Sequence, residues 1–312
     1  MKPFTYTTIY LILLISPIGG IDFWKTILNF FRKRCDDRTS FNYKGLDAEL
    51  KNKVFGQHLA SAVVLRAVSV FMHDKNPPKP LVLSFHGGSG TGKNHIAKII
   101  AQNLFSKGEH SKQVHWFIGD YHFNTGTNIE ACKVQLQQWI RGNVSACPHS
   151  MFIFDEMDKM NPELIDSIRP SLDHYDNIDG VSYRHAIFLF IGNAGASAIN
   201  QVTLNFWKEG EIREEIQLSS QDLENEISKE VFNNKKSGLW HSSLINKNVV
   251  DFFVPFLPLE FRHVRLCALE EMRALALPPK QKIAEQAARE MPYFPREERV
   301  FSVKGCKGSE PE

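Results

Sequence analysis

The sequence predicts an α/β protein, with a parallel sheet flanked by helices and a small helical C-terminal domain. Three observations carry that expectation. Short apolar runs recur at Leu81–Phe85, Met151–Phe154 and Ala186–Ile191, the pattern of strands buried on both faces. Helically spaced segments separate them, and parallel strands need such crossovers. After about residue 240 the strand signals fade, and residues 259–296 read mostly helical, broken at Pro278-Pro279 and Pro292. At 312 residues and 43% hydrophobic content, the chain has room for one large or two modest domains. Disordered, collagen-like and disulfide-scaffold classes are excluded. The 37 Lys+Arg against 35 Asp+Glu leave +2, so no nucleic-acid partner is expected.

Residues 1–20 combine Lys2, the apolar run Ile9–Ile15, and Pro17, Gly19 and Gly20. That is the layout of a secretory signal peptide; the alternative is a buried N-terminal strand or helix. Residues 21–45 form the next segment. Ile21, Phe23, Trp24, Ile27, Leu28, Phe30 and Phe31 recur at helical spacing, closed by Arg32-Lys33-Arg34. An aromatic face with a basic end suits a helix lying in a membrane interface, and equally a helix packed on the core. Secretory entry would place the five cysteines in an oxidising lumen. Asn143-Val144-Ser145 would then be a glycosylation acceptor, the only N-x-S/T in the chain.

Leu46, Leu50, Val54, Leu59, Ala62, Val63 and Ala67 keep roughly helical spacing, and Lys75–Pro80 reads as a turn. After the strand Leu81–Phe85, a glycine-rich loop leads into a helix through Ile96, Ile99, Ile100 and Leu104. Val114–Ile118 is a further strand candidate, and residues 130–141 read as a helix before Met151–Phe154. Leu164, Ile168 and Leu172 suggest the helix before Ala186–Ile191.

The chemistry concentrates where these strands end. Gly87-Gly88-Ser89-Gly90-Thr91-Gly92-Lys93-Asn94 stands between a strand and a helix, the context of a P-loop. Glycines let backbone N–H groups turn toward phosphate oxygens, and the helix adds its positive end. Lys93 would reach the β- and γ-phosphates of ATP. Asn94 replaces the usual Mg²⁺-binding hydroxyl with an amide oxygen. The strand before Asp155-Glu156 ends in two carboxylates, Asp155 suited to Mg²⁺ and Glu156 to polarising the attacking water. Asn193 closes a third strand, at the edge where open parallel sheets bind ligands; its alternative is a simple turn residue.

With these residues in hand, the chain from about Leu46 to Lys307 resembles the torsins, AAA+ ATPases of the endoplasmic reticulum and nuclear-envelope lumen. The matching motifs include Val54-Phe55-Gly56-Gln57-His58, Gly90-Thr91-Gly92-Lys93-Asn94, Phe152-Ile153-Phe154-Asp155-Glu156-Met157-Asp158-Lys159, Asn193-Ala194-Gly195, Trp240-His241-Ser242 and Gly305-Cys306-Lys307. The resemblance implies an AAA+ large domain over residues 46–255 and a small domain over 256–312. It implies that Gly87–Asn94 are Walker A, Asp155 and Glu156 Walker B, Asn193 sensor 1 and Lys307 sensor 2. Phe55, Gly56 and Gln57 match the segment that lines the base in Clp and Hsp100 relatives. Disulfides Cys267–Cys306 and Cys35–Cys147 are implied, with Cys132 left over.

Two features expected of Clp-type unfoldases are missing. Tyr121 and Phe123 stand where Clp-type unfoldases carry a pore loop, but the pattern differs. Lys247, near the expected arginine finger, lacks the guanidinium fork. Torsins are understood to borrow that arginine from luminal domains of membrane-bound activators of the lamina-associated polypeptide type. The small domain also looks shortened around Leu275-Ala276-Leu277-Pro278-Pro279. The resemblance therefore implies an activator-dependent ATPase, homo- or hetero-oligomeric, which remodels protein or membrane assemblies and touches the membrane peripherally. The alternatives are an ATP-gated scaffold with little hydrolysis and a cytosolic Clp-like unfoldase.

Overall fold

The structure, a computed structural model, describes residue 35 and residues 40–123, 128–218, 223–234, 239, 242–246 and 249–308. The expected signal peptide, the aromatic segment up to Arg34 and Lys247 lie outside the described residues. Among the described residues no helix is long and apolar enough to cross a membrane.

Five parallel strands form the sheet: β1 (Leu81–Gly87), β2 (Val114–Ile118), β3 (Met151–Asp155), β4 (Ile187–Gly192) and β5 (Phe252–Phe256). Their order is β2-β3-β4-β1-β5. β5 departs from the fading strand signal expected after residue 240. Pro255 lacks a backbone donor and argues against a central strand, yet β5 lies at an edge with β1 as its neighbour, where proline is tolerated. An ion pair secures its start. Lys79 Nζ, almost fully buried, donates to Asp251 Oδ2 at 2.6 Å, and the same oxygen accepts the Val82 N–H at 2.8 Å.

Strand alternation sorts the core into two layers. Phe152 and Phe154 of β3 and Phe188 and Phe190 of β4 face one side, while Met151, Ile153, Ile187, Leu189 and Ile191 face the other. The phenylalanines form stacked ladders across the paired strands. Phe117, Phe154 and Phe190 have centroids 4.9 and 5.1 Å apart, and His115, Phe152 and Phe188 stack at 5.0 Å each.

Helices α1 (Tyr43–Lys53), α2 (His58–His73) and α3 (Lys93–Leu104) cover the aliphatic face through residues such as Leu46, Val64 and Ile96. After the single turn α4 (Gly119–His122), the aromatic face is covered by α5 (Ile129–Ala146), α6 (Pro162–Ser167), α7 (Ala196–Lys208) and α8 (Leu223–Asn233). Local sequence sets the helix starts. Asn42 accepts the Gly45 N–H before α1, and Asn161 accepts the Glu163 N–H before α6, which carries Pro162 in its first turn. The short α9 (Ser243–Asn246) precedes β5.

The C-terminal region contains α10 (Phe261–Ala274), α11 (Gln281–Glu290) and a hairpin of β6 (Tyr293–Phe294) with β7 (Phe301–Ser302). The expected break is present, with Pro278-Pro279 between the helices and Ala276 in a left-handed conformation at φ 55°. Small contact residues, Ala268 on α10 and Ala284 and Ala288 on α11, let these two helices approach closely. Cys35 is bonded to Cys147 at the end of α5, and Cys267 of α10 is bonded to Cys306. Cys132 stands outside both disulfides, half-buried against the aromatic core.

Candidate nucleotide site

The site lies at the carboxyl ends of β1, β3 and β4. β1 ends at Gly87, the loop Gly88–Gly92 follows, and α3 opens at Lys93 with left-handed Gly92 as its N-cap. Beneath the loop, His86 is fully buried. Its Nε2 lies 2.7 Å from Ser84 Oγ and its Nδ1 lies 2.8 Å from the Ala194 carbonyl. Burial pushes its pKa down to about 4, so the imidazole is neutral at pH 7. Thr91 Oγ1 donates to the Gly88 carbonyl at 2.8 Å, closing the loop on itself.

Lys93 is the buried cation of the loop. Its Nζ donates to the Gly87 and Gly88 carbonyls, each at 2.7 Å, and to Asn193 Oδ1 at 3.1 Å. Burial draws its pKa down to about 8, against the opposing charges of Asp158 and Asp155. A phosphate oxygen entering the loop would exchange for these neutral acceptors and hold the ammonium charged. One residue on, Asn94 Nδ2 donates to Asp155 Oδ2 at 2.6 Å, leaving the Asn94 carbonyl oxygen for another partner. Asp155 Oδ1 accepts the Glu156 N–H at 2.8 Å. Glu156 is left-handed at φ 55°, and its carboxylate pairs with Lys159 at 3.2 Å.

Oxygen donors of this kind suit Mg²⁺, which takes one or two protein ligands and completes its shell from phosphates and water. Among the described residues no group of three or more His, Cys, Asp or Glu could hold a metal by itself. The pair Asn94 and Asp155 fits the ion in that limited sense.

The C-terminal region reaches the same loop. The turn Lys304–Lys307 rests on Gly90, with the Cys306 N–H donating to the Gly90 carbonyl at 2.9 Å. A Cβ on Gly90, itself at φ 71°, would lie 1.9 Å from the Lys304 carbonyl oxygen, so only glycine permits this approach. Lys307 is exposed beside the loop.

The structure thus brings together Lys93 with Asn193, Asn94 with Asp155, and Gly90 with the Lys307 turn. Gln57 lies between the P-loop and the end of β5. Its buried amide donates to the Thr91 carbonyl at 2.9 Å and the Leu257 carbonyl at 2.8 Å, and accepts the Leu257 N–H at 2.8 Å. Its polar atoms clasp the P-loop to the end of β5, and its neighbours Phe55 and Gly56 are half-buried. Gly56 packs against His263, and its carbonyl accepts from buried Arg213 at 2.8 Å. Arg213 also meets Glu260 at 3.4 Å. Asn143 lies on α5, whose chain leads to the start of β3 and away from the site; its Nδ2 donates to the Trp139 carbonyl at 2.7 Å. Tyr121 on α4 is 80% exposed, whereas Phe123 packs toward Phe117.

Three contributors lacked assigned roles from sequence: Asp158, His86 and Arg213. Asp158 left a faint signal, a third acid just past the carboxylate pair. His86 left one in its place before the glycines, and Arg213 none.

A family model described as Torsin matches residues 29–154, and one described as Torsin-1A, C-terminal domain matches residues 259–310. Among solved structures, the chain is similar to the Saccharomyces cerevisiae Hsp104–ADP complex, at TM-score 0.60 and 19% identity over 86% of this chain and 45% of that one. It is also similar to a closed-state cryo-EM reconstruction of Hsp104 with ATPγS and FITC-casein, at TM-score 0.60 and 18% identity, with the same coverage. The chain spans under half the length of these Hsp104 chains, and what it shares with them is the AAA+ fold.

Proposed function

We propose, on the premise that the chain belongs to the torsin family, that it is an activator-dependent ATPase remodelling protein or membrane assemblies in the lumen of the endoplasmic reticulum and nuclear envelope. The observation that carries this reading is the convergence of Lys93, Asn94, Asp155, Glu156 and Asn193 on one sheet edge. Lys93 and the first-turn amides of α3 bind phosphate oxygens. Asn94 and Asp155 would hold Mg²⁺, which would supply neutralisation of the phosphate charge. Glu156 accepts the proton of the attacking water, and Asn193 orients the γ-phosphate or that water.

The two disulfides support an oxidising compartment. Lys307 as sensor 2 and a domain boundary near residue 256 belong to the same proposal, as do homo- or hetero-oligomerisation, peripheral membrane contact and glycosylation of Asn143. The activator would supply an arginine finger, worth about 10³–10⁵ in rate in GTPases. The test is ATP turnover with and without an activator's luminal domain. Stimulation, and its loss in Glu156→Gln, is expected; an unchanged stimulated rate in that variant would refute the mechanism.

One observation favours a second reading, an ATP-gated scaffold with little hydrolysis. The Glu156 carboxylate is engaged by Lys159, which draws it toward a cation and away from base duty. ATP-dependent partner binding without turnover, under any activator, would select that reading.

A further inference from the structure

Resting on the ATPase reading above, we infer that Asp158 is a positioning residue that sets Asn193 at the γ-phosphate end of the site. The β3–β4 ladder pairs as far as Phe154 with Phe190. Beyond that point the two strand ends carry the reacting groups: Asp155 and Glu156 on one, Asn193 on the other. Asp158 spans the gap. It sits in the short turn Met157–Lys159, and its Oδ1 accepts the Asn193 N–H at 2.8 Å.

The turn has little freedom to move. Met157 is fully buried in the aromatic core, and the Lys159 N–H donates to the Glu156 carbonyl at 2.8 Å. On the β4 side, a Cβ on Gly192 would lie 2.6 Å from Asp158 Oδ1, so the carboxylate presses directly on the strand end. With its N–H held from below, Asn193 directs Oδ1 to Lys93 Nζ at 3.1 Å. The negative charge of Asp158 also opposes the desolvation of Lys93. Asp158 touches neither phosphate nor water in this scheme; it acts through Asn193.

Two measurements on the full chain test this. The first is hydrogen exchange at the Asn193 amide, which needs no turnover. Asp158→Ala is expected to speed that exchange about tenfold, and Asp158→Asn, which keeps an acceptor oxygen, to restore most of the protection. The second is a double-mutant cycle on activator-stimulated turnover. Asp158→Ala should lower the rate about tenfold while ATP affinity stays within about threefold. The double variant with Asn193→Ala should be no slower than Asn193→Ala alone. Unchanged exchange at Asn193, or additive losses in the cycle, would overturn the inference. Absence of turnover in the unmutated chain would instead refute the ATPase reading, and the exchange measurement would still decide the Asp158 link.

Discussion

The nucleotide loop is gripped from two sides by different kinds of chemistry. On the sheet side, Lys93, Asn193, Asp155 and Asp158 rise from strand ends rooted in a continuous two-layer core. On the other side, the Lys304–Lys307 turn meets the loop through a backbone hydrogen bond and two facing glycines. That turn is tethered to α10 by a disulfide and backed by two small clusters of buried residues. The sheet-side groups thus take their placement from packing, whereas the C-terminal turn, the lid over the loop, takes its position from backbone shape and a covalent tie. Perturbing one side should therefore leave a signature distinct from perturbing the other.

The largest separation is expected from core truncation. Phe154 is fully buried between Phe117 and Phe190, and Phe154→Ala should cost about 3–5 kcal/mol. Because β3 carries Asp155 and Glu156, ATP turnover should fall with stability. Leu269→Ala in the small cluster should cost about 2 kcal/mol, nearer the lower end of such truncations, since fewer buried neighbours surround it. Urea unfolding monitored by fluorescence measures both. Equal costs would erase the contrast between the two regions.

A smaller effect follows from the neutral histidine under the loop. His86 has its folded pKa pushed down to about 4, below the ordinary 6.5. The unfolded chain therefore takes the proton first. The stability this neutral ring contributes is fully present above about pH 6.5 and is lost as pH falls toward 4. Between pH 7 and pH 5 the loss should be about 2 kcal/mol, and His86→Gln should flatten that part of the profile. A profile of unchanged slope in the variant would show that acid acts elsewhere, for example at His263, whose pKa is lowered to about 3 by burial and the neighbouring guanidinium charges of Arg213 and Arg262.

The two regions also differed in how legible they were. Four of five strands were visible: β1, β3 and β4 because a strand buried on both faces must be apolar throughout, as in Phe152–Phe154 and Ile187–Ile191, and the half-buried edge strand β2 through its largely apolar run Val114–Ile118. The P-loop was visible because phosphate binding needs glycine, lysine and a helix start in contiguous sequence. β5 was not, because Pro255 is acceptable only at an edge, and edge position is a property of the assembled sheet. Gln57 was legible as a motif residue but not as a clasp, since its partners Thr91 and Leu257 stand 34 and 200 residues away. Asp158 escaped because its partner is a backbone N–H, which no residue type announces.

The finest test addresses the contact between the two regions. In Gly90→Ala, the new methyl would fall 1.9 Å from the Lys304 carbonyl oxygen and 2.8 Å from its carbon, both backbone atoms. Neither can rotate away, so the Lys304–Lys307 turn must lift, and the Cys306-to-Gly90 hydrogen bond goes with it. The Cys267 tether keeps the lifted turn close to the protein. ATP affinity should fall about tenfold, equivalent to about 1.4 kcal/mol. Thermal stability should drop by about 1 kcal/mol, for left-handed strain at φ 71°. Gly305→Ala approaches the same contact from the opposite side, its methyl 2.3 Å from the Gly90 carbonyl oxygen. It changes a residue of the lid and none of the P-loop, pressing on the Gly90 and Ser89 backbone from the lid side. If Gly305→Ala weakens ATP binding as much as Gly90→Ala does, the lid contact sets affinity. If Gly90→Ala alone weakens it, the loss belongs to the loop, and the sheet side holds the nucleotide without help from the lid.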